Sequence, residues 1–168
     1  MPPLRLKVLH IEDNEDDHAL VALHLRRGGI NADIRRIETE AELGDALFED
    51  WDLILCDYNL PGYSGLAALD KVRALGKLVP FILVSGEIGE DIAVQAMRNG
   101  ASDYLLKSNL ARLAPAAMLA IEANRTRIAK QRADLALSRS RQQLRELAQH
   151  LQTSIEQERA AIAREIHD

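Results

Sequence analysis

From residue 6 to residue 107, short apolar runs alternate with stretches of helical spacing. Five runs, at 6–11, 32–37, 53–56, 81–84 and 104–106, have the length and near-continuous apolar character of strands buried on both faces. The intervening segments, 17–27, 40–48, 64–74 and 90–99, read as helices, as the pairing of Leu20 with Leu23 and of Val21 with Leu25 illustrates. Gly28, Gly29, Gly76 and Gly100 stand where those helices should end. Strict alternation of strand and helix predicts an α/β domain built on a doubly wound, five-stranded parallel sheet covered on both faces.

After Pro115 the pattern changes. The next 53 residues contain no glycine, proline or aromatic. They predict one long C-terminal helix, with Pro115 at its first position, where a missing N–H has no partner to lose. At about 1.5 Å per residue such a helix reaches roughly 80 Å, so it must leave the domain and find a partner. Its apolar seam runs in sevens through Ile121, Ile128 and Leu135, shifts phase to Leu137, Leu144 and Leu151, and continues through Ile155, Ile162 and Ile166. This predicts a coiled coil with stutters and a parallel homodimer. The expected organisation is a domain core over 1–114, a closing helix that continues as a coiled-coil linker over 115–155, and a distinct last segment over 156–168.

Charge divides the chain in the same way: the part before Pro115 carries a net charge of -7 and the remainder +2. An acidic domain argues against a phosphate-backbone-binding surface, so nucleic acid is not an expected partner. No apolar run approaches the length of a membrane span. A single cysteine, Cys56, forms no internal disulfide and suits a reducing, cytoplasmic setting.

The candidate chemistry lies at the carboxyl ends of the predicted strands, where doubly wound sheets bind ligands. Glu12 and Asp13 end the first strand, Asp57 the third, Ser85 the fourth and Lys107 the fifth. With the first strand central, these ends converge on one pocket. Clustered carboxylates raise one another's pKa unless a cation neutralises them, and magnesium, a hard cation that prefers oxygen ligands, meets that need. Lys107 adds a positive charge and Ser85 a hydroxyl, which makes the pocket a phosphoryl site with a carboxylate available as nucleophile. Asp16 and Asp17 read instead as an acidic helix start favoured by the helix dipole. His10, His18, His24 and His150 lack metal-ligand spacing and read as packing or surface residues.

The segments Val8-Leu9-His10-Ile11-Glu12-Asp13-Asn14, Leu53-Ile54-Leu55-Cys56-Asp57-Tyr58-Asn59-Leu60-Pro61-Gly62, Val84-Ser85-Gly86 and Tyr104-Leu105-Leu106-Lys107 resemble the receiver domain of two-component response regulators. The resemblance covers residues 5–125 and implies a flavodoxin-like fold. It implies that Asp57 is the phosphoacceptor, that Asp13, Asp57 and the Asn59 carbonyl hold magnesium, and that Glu12 acts on the ion through water. Ser85 and Lys107 would bind phosphoryl oxygens, and Tyr104 would turn inward as Ser85 moves. The expected donor is an upstream histidine kinase or phosphotransfer protein. Ser108 replaces the proline that many receivers carry after the lysine.

Residues 158–168 resemble the phosphotransfer helix of sensor histidine kinases. That likeness implies autophosphorylation at His167 with Asp168 as the neighbouring general base. No glycine-rich ATP-binding motif is present in the chain, so the expectation is part of a longer hybrid kinase that signals to a downstream response regulator. The alternative is a stand-alone receiver and coiled-coil adaptor without kinase activity. A haloacid-dehalogenase-like phosphatase is disfavoured, because Asn59 stands where the acid and base aspartate would be needed.

Overall fold

The computed structural model describes residues 5–87 and 89–167. Five parallel strands, β1 (Leu6–Ile11), β2 (Ala32–Ile37), β3 (Leu53–Asp57), β6 (Phe81–Ser85) and β7 (Asp103–Leu106), form one sheet in the order β2-β1-β3-β6-β7. The middle strand is therefore β3, not β1 as the sequence reading placed it. Both are interior strands, so the ends of β1 and β3 still lie side by side, with Ile11 in register with Cys56. Every residue of β3 and β6 is buried, which explains why these two strands read as continuous apolar runs. β2 is an outer strand, and it alternates exposed Asp33 and Arg35 with half-buried Ala32 and Ile34.

Five helices, α1 (Glu15–Arg27), α2 (Glu40–Ala46), α3 (Gly65–Ala74), α4 (Glu90–Arg98) and α5 (Leu113–His167), follow the five sheet strands. Val21 and Leu25 of α1 join Leu113, Ala117 and Ile121 of α5 against Val8, Leu55 and Val84 on one face of the sheet. Leu43 of α2, Leu69 and Val72 of α3 and Ala96 of α4 pack with Leu9, Ile54 and Phe81 on the other. Local chemistry sets the helix starts. Asn14 caps α1 by accepting the Asp17 N–H, Thr39 and Glu42 form a reciprocal capping box on α2, and Ser64 accepts the Ala67 N–H at α3.

Two elements were not anticipated. A small antiparallel hairpin pairs β4 (Asn59–Leu60) with β5 (Tyr63–Ser64). Its turn is made by Pro61 and by Gly62 at φ 78°, a conformation glycine adopts without a Cβ penalty. A 3-10 helix (Lys107–Arg112) then leads into α5. The long helix therefore begins at Leu113 and Pro115 is its third residue rather than its first, a position whose N–H also lacks an intrahelical partner.

The chain divides into two compact units, residues 1–125 and 126–168. Ile121, read from sequence as the start of the apolar seam, is buried in the core of the first unit and is unavailable to a partner. In the second unit Leu135, Leu137, Leu144, Leu147, Leu151, Ile155, Ile162 and Ile166 are all exposed. No helix among the described residues is long and apolar enough to cross a membrane.

Candidate functional site

The site forms where β1, β3 and β7 end. Asp57 is the last residue of β3, Glu12 and Asp13 follow β1 directly, and Lys107 follows β7. The strand end that carries Asp57 is packed tightly from behind. The Gly65 N–H donates to the Tyr58 carbonyl at 2.8 Å, and a Cβ on Gly65 would lie 2.6 Å from the Asp57 carbonyl oxygen. Only a residue without a side chain lets α3 start this close to β3.

Glu12 and Asp57 are buried, whereas Asp13 is exposed, and one oxygen from each of the three carboxylates lies within 4.8 Å of the others. Glu12 is held by the Asn14 N–H, which donates to its Oε1 at 3.2 Å, and by Arg36, which donates to its backbone carbonyl at 3.2 Å. Burial and the Asp57 charge push the Glu12 carboxyl up to about 7. A carboxylate cluster in which one member resists ionisation suits a hard divalent cation with oxygen ligands.

Lys107 closes the other side of this cluster. Its Nζ contacts Asp17 Oδ2 at 2.7 Å, Asp57 Oδ2 at 3.0 Å and Glu12 Oε2 at 3.1 Å. Burial opposes the ammonium charge, but the hydrogen bonds to Asp17, Asp57 and Glu12 outweigh it and hold the lysine above its ordinary value. The amine is a fixed positive charge at any ordinary pH.

The structure therefore brings together Glu12, Asp13, Asp57 and Lys107. The Asn59 N–H approaches Asp57 Oδ1 at 3.4 Å from the first residue of the hairpin. Ser85 ends β6 fully buried, and its hydroxyl donates to the Glu87 carbonyl at 3.1 Å. Tyr104 is half-buried on β7, in register with Leu83. His167 is the exposed last residue of α5, in the second unit, while Asp168 lies outside the described residues. Asp17, which reads from sequence only as an acidic helix start, makes the shortest contact to Lys107. The available signal was its place in the first turn of α1, directly after the strand end that carries Glu12 and Asp13.

The two histidines read as packing residues lie beside this pocket. His10 Nδ1 and His18 Nδ1 share a hydrogen bond of 2.8 Å, and the rings stack with centroids 5.1 Å apart.

Comparison with known proteins agrees with this geometry. The model of the response regulator receiver domain family matches residues 8–117, and the chain belongs to that family. It is 30% identical over 98 residues to the transcriptional regulatory protein ZraR of Escherichia coli, covering 58% of this chain and 22% of ZraR. It is 34% identical over 103 residues to the cell cycle transcriptional regulator CtrA of Caulobacter vibrioides, covering 61% of this chain and 44% of CtrA. The chain thus spans less than half the length of these curated relatives. Among solved structures, the signal receiver domain of NarL from Mycobacterium tuberculosis superposes with a TM-score of 0.63 at 24% identity, covering 71% of this chain and 98% of that one. A CheY-like receiver from Methanospirillum hungatei gives 0.64 at 21%, covering 74% and 99%. These likenesses show the receiver fold, and the family is that of the phosphoacceptor domains of two-component response regulators.

Proposed function

We propose that Asp57 is the residue that accepts the phosphoryl group, and that the receiver governs an output carried on α5. The observation that carries this reading is the convergence of Asp57, Glu12, Asp13 and Lys107. In the transfer, an Asp57 carboxylate oxygen forms a P–O bond as the donor's P–N bond breaks, and the departing imidazole takes up a proton. Lys107 and Ser85 would donate to the phosphoryl oxygens, as charge-assisted donors do for a transferring group. Asp13, Asp57 and the Asn59 carbonyl would hold magnesium, with Glu12 acting through water. The ion supplies neutralising charge to the carboxylates and the incoming phosphate. Tyr104 would follow Ser85 inward.

The output is proposed to be a dimeric histidine kinase whose phosphorylated residue is His167, with Asp168 beside it as base. Two features support this: α5 continues as helix to His167, and the leucine and isoleucine stripe of residues 135–166 is exposed on a single helix, as a parallel coiled-coil homodimer needs. Such a protein would work in the cytoplasm and pass its phosphoryl group to a downstream response regulator. A second reading has support in the names of ZraR and CtrA, both transcriptional regulators; in it the receiver controls a transcriptional output. The adaptor without any enzymatic output is the third.

The test is incubation with acetyl phosphate and magnesium. Hydroxylamine-labile phosphate should appear on the wild-type chain and be absent from Asp57→Asn, and equal labelling of both would overturn the assignment. For the output, ATP-dependent labelling of His167 in protein extended beyond residue 168 should differ between wild type and Asp57→Asn when a phosphodonor is present. Equal rates would favour the adaptor.

A further inference from the structure

The Lys107 ammonium has three N–H donors, and three carboxylates occupy them: Asp17, Asp57 and Glu12. Two of these belong to the pocket for which the receiver family is known. The third comes from the first turn of α1. Asn14 caps that turn by accepting the Asp17 N–H at 3.0 Å, so the cap that starts the helix also fixes the backbone from which the Asp17 carboxylate reaches Lys107. The Asp17 and Lys107 side chains are 33% and 22% exposed, so the pair is only partly screened by water.

We propose that Asp17 is a positioning residue that holds Lys107 in the resting pocket and competes with the phosphoryl group for it. This deepens the phosphoacceptor reading and rests on it. The reason lies in donor and charge accounting. A phosphoryl group on Asp57 brings oxygens that need the lysine, but one of its three donors is committed to Asp17, a carboxylate that the phosphoryl group does not displace by occupying its place. Asp17 also adds a negative charge close to where a dianion must settle, and it offsets the lysine charge that would otherwise repel a divalent cation.

Asp17 therefore acts with opposite sign on the two ligands of the pocket: it favours the cation and disfavours the phosphoryl group. The contrast separates it from a structural role. Loss of a residue needed only for folding or for the shape of the α1 start would weaken both ligands together.

The experiment uses the full chain as wild type, Asp17→Asn and Asp17→Glu. Magnesium alone is titrated by calorimetry, and the fraction of chain labelled by acetyl phosphate is measured at saturating magnesium, together with the half-life of the label. For Asp17→Asn we expect magnesium affinity to fall about three- to tenfold, the scale of one partly screened charge, and the half-life of the label to lengthen by a similar factor. Asp17→Glu keeps the charge and should lie near wild type in both. A fall in both properties, or no change in either, would overturn the proposal. Failure of wild type to label would count against Asp57 as phosphoacceptor, and unchanged magnesium affinity in Asp17→Asn would count separately against Asp17.

Discussion

Gly28 faces Ala114 so closely that a methyl group placed on the glycine would lie 2.1 Å from the Ala114 Cβ. Gly28 ends α1 with φ -80°, an ordinary conformation for any residue, so space alone requires glycine here. The start of α5 is seated on the end of α1 through this contact. Gly28→Ala should force the two helices apart and destabilise the domain by about 1–3 kcal/mol, the usual penalty for overpacking. A urea unfolding midpoint lowered with an unchanged m-value would confirm it.

Cys56 is completely buried on β3, and its thiol donates to the Asp57 carbonyl at 3.2 Å. Burial, with Asp57 and Glu12 adding to it, pushes the thiol well above its ordinary value. The native thiol should react with iodoacetamide roughly tenfold or more slowly than the same thiol in denaturant, since the thiolate is the reactive form and needs access. Mass spectrometry of timed quenches measures both rates.

The metal-free pocket should give an unusual dependence of stability on pH. Burial and Asp57 raise Glu12 from 4.5 to about 7, so between those values the folded chain holds a proton that the unfolded chain has released, and stability falls as pH rises. Burial, then His18, Lys107 and Arg36, lower His10 from 6.5 to about 3, so between those values the unfolded chain holds the extra proton and stability rises with pH. The two slopes oppose each other between 4.5 and 6.5. Burial, then Arg36, also lower His18, so two histidines oppose Glu12, and denaturant midpoints taken in chelator should rise with pH across that window in wild type. Asp57→Asn removes one cause of the Glu12 shift, and the rise should steepen.

For the proposed dimer, each leucine of the α5 stripe that becomes fully buried contributes about 1.5–3 kcal/mol. Leu144→Asp combined with Leu151→Asp should shift sedimentation from twice the chain mass to the chain mass without changing Asp57 labelling. A dimer that survived both substitutions would place the contact elsewhere.

The elements that could be read from the sequence are those whose signal is local. Residues 53–56 and 81–84 are buried end to end, so burial writes itself as a continuous apolar run that ends only where Asp57 and Ser85 close the strands. The convergence of Asp57, Glu12, Asp13 and Lys107 is legible because parallel strands deliver their carboxyl ends to the same side of the sheet. The hairpin at Asn59 to Ser64 escaped because strands of two residues have no period, although Pro61 and Gly62 carried its turn chemistry. Asp17 escaped for a different reason. An acid in the first turn of a helix already has a sufficient local explanation, and only the position of Lys107, 90 residues away, reveals a second use. His10 and His18 are joined in the same way, across a strand end and a helix start. Ile121 shows the converse error: a heptad step from Ile128 is also a helical step into the core.

The outer position of β2 has a consequence for how closely two receivers can live together. Two copies tethered by their helices would meet at an effective concentration of about 1 mM, where an unguarded sheet rim invites strand-to-strand polymerisation. On β2 that rim carries exposed Asp33 and Arg35, and Arg35 is engaged by Glu49 at 2.9 Å. Adding a strand there would strip water from these charges. In the proposed dimer this charged rim would therefore disfavour strand pairing between the two receivers along β2.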